Sequence, residues 1–157
     1  MQDVTINKQV KLSQHFTLGE FCKTSVKTKD GNIPSHVAIE NMKRLCGWLE
    51  MLRSEWNNRY GDGDDPIIIS SGYRSPAVNK LVGGVATSNH LTGCAVDIRV
   101  LGMEQLLRYA VILLDISDES QEDFDELLIE RNSKGTYWLH FAVRPEGNRR
   151  KIKLMEG

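Results

Sequence analysis

Histidine and aspartate are among the few side chains that bind a divalent metal. The stretch SNHLTGCAVDIRV, residues 88–100, sets His90 and Asp97 seven positions apart on either side of Gly93. Two ligands do not close a protein metal site, so at least one more must come from elsewhere in the chain. The candidates are few: the other histidines are His15, His36 and His140. His15 and His36 lie in the N-terminal third near expected helix starts and read as surface residues. His140 sits in TYWLHFAV, where side chains alternate along a strand. Trp138, His140 and Ala142 then share one face, and Leu139, Phe141 and Val143 form a core face. In CAVDIRV the same test puts Val96, Ile98 and Val100 in the core and Asp97 on the opposite side.

If these two strands are neighbours, Asp97 and His140 converge and His90 folds over from the preceding loop. Gly93 eases that fold-back because glycine tolerates backbone angles that other residues avoid. Two imidazoles and one carboxylate with an open fourth position are a catalytic-zinc arrangement. On alternation alone a second reading stays open, in which Asp97 caps a turn and the histidines are unrelated surface residues.

The elements that must position these residues are legible in outline. TLGE, Thr17 to Glu20, has capping-box spacing. After Pro34, Ser35 caps a helix in which Met42, Leu45, Leu49, Leu52 and Trp56 make one apolar stripe, ending near Gly61. GDGDD is a turn whose length and order do not fit an EF-hand loop. PIIISS reads as a short buried strand, and Ser75-Pro76 opens a helix that Gly83-Gly84 breaks. Residues 102–115 are expected to be helical, followed by two strands, DELLIER and TYWLHFAV, flanking NSKG. Helices first, then strands mixed with one more helix, predict an α+β fold: a small, mainly antiparallel sheet with helices packed on it.

The 157 residues suit one domain, with 1–14 as an N-terminal extension and 145–157 as a basic tail carrying Arg149, Arg150, Lys151 and Lys153. A net charge of −1 gives no support for a nucleic-acid partner. No apolar run reaches the roughly 18 residues of a membrane span, and the polar opening MQDVTINKQVKL lacks a signal-peptide core. Cys22, Cys46 and Cys94 are odd in number and have no CxxC spacing, so they do not suggest a disulfide framework.

The spacing is more specific than His-x6-Asp. Ser88, His90, Gly93, Ala95 and Asp97 follow SxHxxGxAxD; SGYRSPAVN stands upstream at 71–79 and WLH downstream at 138–140. Together these motifs resemble the zinc D-Ala-D-Ala carboxypeptidase family, which shares a core with lysostaphin-type peptidases and the hedgehog signalling domain. The resemblance runs from HFTLGEF at 15 to the WLH strand and is nearest to the C-terminal peptidase-domain branch. It implies zinc held by His90, Asp97 and His140, with Arg74 binding a substrate carboxylate or carbonyl and Ser88 holding a terminal carboxylate. The implied substrate is a peptidoglycan stem or crossbridge peptide. The implied enzyme is a monomeric D,D-carboxypeptidase or a lysin-like endopeptidase acting at the cell wall. For Arg74, a structural salt bridge is the competing reading.

Hydrolysis also needs a carboxylate to take a proton from water. Many members of the family place it three residues before the last histidine, where this chain has Tyr137. A three-residue hairpin loop, Ser133-Lys134-Gly135, would pair Glu130 with Trp138 and Leu128 with His140, bringing Glu130 to the face of His140. A two-residue loop would turn Glu130 away. FDELLIE, residues 124–130, matches a strand of the same branch ending in Glu, which favours Glu130 as the base, with Glu126 in reserve opposite Ala142. The alternative, which Tyr137 favours, is a catalytically inactive zinc-containing wall-binding or phage structural module of the same fold.

Overall fold

The computed structural model describes residues 6–156. In chain order it contains α1 (Leu18–Cys22), α2 (His36–Arg59), β1 (Ile69–Ser71), α3 (Pro76–Leu81), a 3-10 turn (Asn89–Thr92), β2 (Ala95–Arg99), α4 (Met103–Ser120), β3 (Glu126–Arg131), β4 (Tyr137–Ala142) and β5 (Lys151–Glu156). The sheet order is β1-β2-β4-β3-β5, antiparallel except for the parallel β3–β5 pair. This is the expected α+β fold.

The helices start where side chains can satisfy their free N–H groups. Thr17 and Glu20 form a capping box at α1. Ser35 accepts from Ala38 N at α2, and Ser75 accepts from Val78 N at α3, with Pro76 at the first helical position. The α2 stripe is buried as expected: Met42, Leu45, Leu49 and Leu52 are inaccessible. It packs with α4 against the face of the sheet carrying Val96, Ile98, Leu139 and Phe141. Aromatic contacts tie the layers together, with Trp48 5.4 Å from Phe141 and Trp56 edge-on to Tyr109 at 5.1 Å. The opposite face of the sheet is left for the polar side chains.

Four expectations need correction. The fourth helix runs five residues past Asp115, because Ile116 and Ser117 are also buried, and it stops where Gln121 turns left-handed. PIIISS forms a strand only over Ile69–Ser71, with Ile68 O still accepting from Arg99 N, and it is not buried throughout, because Ile68 and Ser70 are exposed. The segment expected as a solvated basic tail becomes β5. A turn closed by reciprocal Arg144–Asn148 hydrogen bonds sends the chain back, and Arg149 and Arg150 dock on Asp125, Asp118 and Asp123. Of the expected N-terminal extension, residues 1–5 lie outside the described part. Residues 6–14 are tied to the body: Leu12 is buried, and Glu50 binds the Ser13 hydroxyl and the His15 ring. His15 is a surface residue, as expected, and its ring is partnered by Glu50.

The three cysteines are buried free thiols. Burial pushes the Cys22 and Cys46 thiols up to about 12, which keeps them protonated and unreactive.

Candidate metal centre

Each of the three candidate ligands is set by a different local device. Ser88 accepts a hydrogen bond from His90 N at 3.1 Å and opens the 3-10 turn that carries the histidine. Gly93 closes that turn at φ +74, and a Cβ there would stand 2.5 Å from the Ala38 carbonyl oxygen. Asp97 and His140 are direct partners across the antiparallel β2–β4 pair. Convergence thus follows from register, as alternation led one to expect.

The ligating atoms of His90, Asp97 and His140 all lie within 4.8 Å of one another. Tetrahedral zinc with bonds near 2.0–2.2 Å separates its ligands by about 3.4 Å, close to the 3.4 Å between His90 Nε2 and Asp97 Oδ1 and the 3.1 Å between His140 Nδ1 and Asp97 Oδ1. The far nitrogens are also accounted for. His90 Nδ1 lies 2.6 Å from the Gly72 carbonyl, and His140 Nε2 lies 3.0 Å from Glu126 Oε1. With a ring N–H donated to each acceptor, the other nitrogen would turn its lone pair toward the shared centre. This is the support that metal-binding histidines ordinarily have. The donor set and its supports fit a zinc ion.

Electrostatics separate the two candidate bases. Burial disfavours the charge of Glu126, but hydrogen bonds from His140 and Asn89 outweigh it and hold the carboxyl below its usual range. Glu126 is thus already engaged with the His140 ring and the Asn89 amide. Glu130 is raised, by burial first and then by the negative charge of Asp97. Its Oε1 is 3.7 Å from His140 Nδ1. The hairpin has the three-residue register: Glu130 opposes Trp138, Leu128 opposes His140, and Gly135 is left-handed at φ +83. Tyr137 pairs with Arg131 and packs against the core. On this strand, position 137 faces away from His140, so a carboxylate there would not reach the site.

The open side of the centre is a cavity of about 780 Å³ lined by Arg74, Ser88, Glu130, Trp138 and His140, among others. Burial pulls the Arg74 guanidinium down, although nearby Asp97 and Glu130 oppose this. Its Nε has no hydrogen-bond partner, and it forms no salt bridge among the described residues. The competing salt-bridge reading of Arg74 finds no partner. Ser88 also lines the cavity while capping the turn.

Sequence reasoning missed a buried network behind Glu126. Asn89 Nδ2 donates to Glu126 Oε1 at 2.6 Å and to Asp125 Oδ2 at 2.7 Å. Asp125 is inaccessible and takes two bonds from the Arg149 guanidinium and an ion pair from Arg144 at 3.2 Å. Burial alone would raise the Asp125 carboxyl, but these donors bring it down to about 2.

A family model described as Peptidase M15 matches residues 14–115, nearly two thirds of the chain. The protein belongs to the peptidase M15 family, whose members are zinc-dependent peptidases. The match covers Arg74, Ser88, His90 and Asp97 and stops before His140, which joins them by sheet register alone. It does not single out the D-Ala-D-Ala carboxypeptidase branch. No curated protein sequence matches the chain at a significant level.

Proposed function

We propose that the chain is a zinc metallopeptidase that hydrolyses peptidoglycan stem or crossbridge peptides, as a D,D-carboxypeptidase or a cell-wall endopeptidase. Its site of action would then be the cell wall. The observation that carries this is the convergence of His90, Asp97 and His140 beside a cavity that also holds Glu130 and an unpaired Arg74. His90, Asp97 and His140 would hold the zinc. When bound, it supplies Lewis-acid polarisation of the scissile carbonyl and lowers the pKa of water.

The chain's own groups supply the rest. Glu130, raised by burial, accepts a proton from the attacking water and returns it to the leaving amine. Arg74 presents a planar fork to a substrate carboxylate or carbonyl, and Ser88, which also lines the cavity, positions a terminal carboxylate. Gly72 and Glu126 keep the two imidazoles in place.

The test is a digest of purified muropeptides, with products weighed, in the presence of zinc, a chelator, and zinc restored. Cleavage that stops with chelator and returns with zinc supports the reading, and the product masses separate loss of a terminal residue from an internal cut. Cleavage unaffected by the chelator would sink it. An inactive zinc-containing module is the outcome if zinc binds tightly and neither wild type nor Glu130→Gln turns anything over.

A further inference from the structure

The cavity does not end at the metal centre. It crosses β3 and reaches β5, where Lys151 and Met155 line it. In the parallel β3–β5 register Glu126 partners Lys151, Leu128 partners Lys153 and Glu130 partners Met155. Neighbouring strands are about 4.8 Å apart, so β5 stands roughly 10 Å from the His140 strand.

The charges at this end do not cancel. Arg144 and Arg149 are both spent on buried Asp125, and Glu126 is bound by His140 and Asn89. Lys151 is half-buried in the cavity wall and forms no salt bridge among the described residues. Three cations there meet two carboxylates, and Lys151 is the one left over. At the other end of β5, Glu156 partners Arg131, and both also line the cavity.

We propose that Lys151 forms a second anion subsite, so that the favoured substrate is a peptide with a free carboxylate two or three residues from the scissile bond. An extended peptide advances about 3.3 Å per residue, so some three residues span the roughly 10 Å from the His140 strand to β5. The reach of the lysine side chain shortens this to two or three. The inference rests on the peptidase reading above, but it concerns binding and is measured separately from turnover.

The probes are two stem-peptide analogues that differ only in whether that carboxylate is free or amidated. Dissociation constants and kcat/KM are measured for both with the zinc-loaded protein. A hydrogen-bonded charge contact is worth about tenfold in affinity, so the free acid should bind about tenfold more tightly than the amide. Lys151→Gln should erase that preference and Lys151→Arg should keep it. Because Lys151 lies on a sheet edge and its backbone makes the strand contacts, the paired variants separate charge from folding. Equal affinity for the two peptides in the wild type, or a preference that survives Lys151→Gln, overturns the subsite. Selective binding without cleavage upholds the subsite and removes the peptidase reading. Cleavage without selectivity does the reverse, and a protein that binds neither peptide refutes the subsite.

Discussion

Glu126 stands 3.0 Å from the His140 ring nitrogen that faces away from Asp97. A carboxylate at that place fixes which nitrogen of the imidazole is free to bind metal. Losing such a supporting carboxylate typically costs 10–100-fold in metal affinity. Glu126→Ala should therefore weaken zinc binding by about one to two orders of magnitude, measured by competition with a chelating dye. An unchanged affinity would show that β4 alone orients the ring.

Glu130 is expected to behave in the opposite way. Glu130→Gln should keep its zinc, because Glu130 does not belong to the ligand cluster, yet lose about 10²- to 10⁴-fold in kcat. Metal content and turnover measured on one preparation give the contrast. Activity near the wild-type level would remove Glu130 from the mechanism.

His140→Ala removes one of the three proposed ligands and the imidazole that lies 3.1 Å from Asp97. Dialysed protein should contain no stoichiometric zinc by elemental analysis. Full activity with no bound metal in this variant would refute a zinc mechanism outright.

Asp125 has a depressed folded pKa, near 2 against an ordinary value of about 3.9. A depressed carboxyl contributes stability above its unfolded pKa, and the contribution disappears as pH falls through its folded pKa. Here that is about 2–3 kcal/mol, present above about pH 4 and lost toward pH 2. Asp125→Asn should cost about 2–3 kcal/mol at pH 7, by leaving its arginines without a charged partner. In chemical denaturation of zinc-free protein, the gap between wild type and variant should close near pH 2. A gap that stays constant with pH would mean the carboxylate charge is irrelevant.

Much of the ligand geometry was legible because strand alternation is a strong local constraint. A face shared by Asp97 and another by His140 need only strand neighbourhood to become a site, and β2 and β4 are neighbours in register. The Glu130 register followed from one loop with a left-handed glycine. The network behind Glu126 was not legible: Asn89 lies 36 positions from Asp125, and Asp125 lies 24 from Arg149. No periodicity links them. Lys151–Glu156 did carry a signal, since KIKLME alternates charged and apolar residues at the strand period over its first four positions. Counting its charges hid that alternation. Spacing alone does not say which face position 137 reaches: Tyr137 lies on the core side of β4, opposite to His140.

The Arg149–Asp125 clasp has a consequence for the order in which the molecule can be completed. When a ribosome has made residues through 142, all three proposed metal ligands and both glutamates already exist. Asp125, which is destined for a dry interior, still lacks the guanidinium groups of Arg144 and Arg149 that offset its burial. Asn89, and through it Glu126 and His140, is held from behind by Arg144 and, through Asp125, by Arg149, so its anchors are the last part of the network to be made. The centre should therefore mature late, its fine geometry waiting on two arginines outside the ligand cluster.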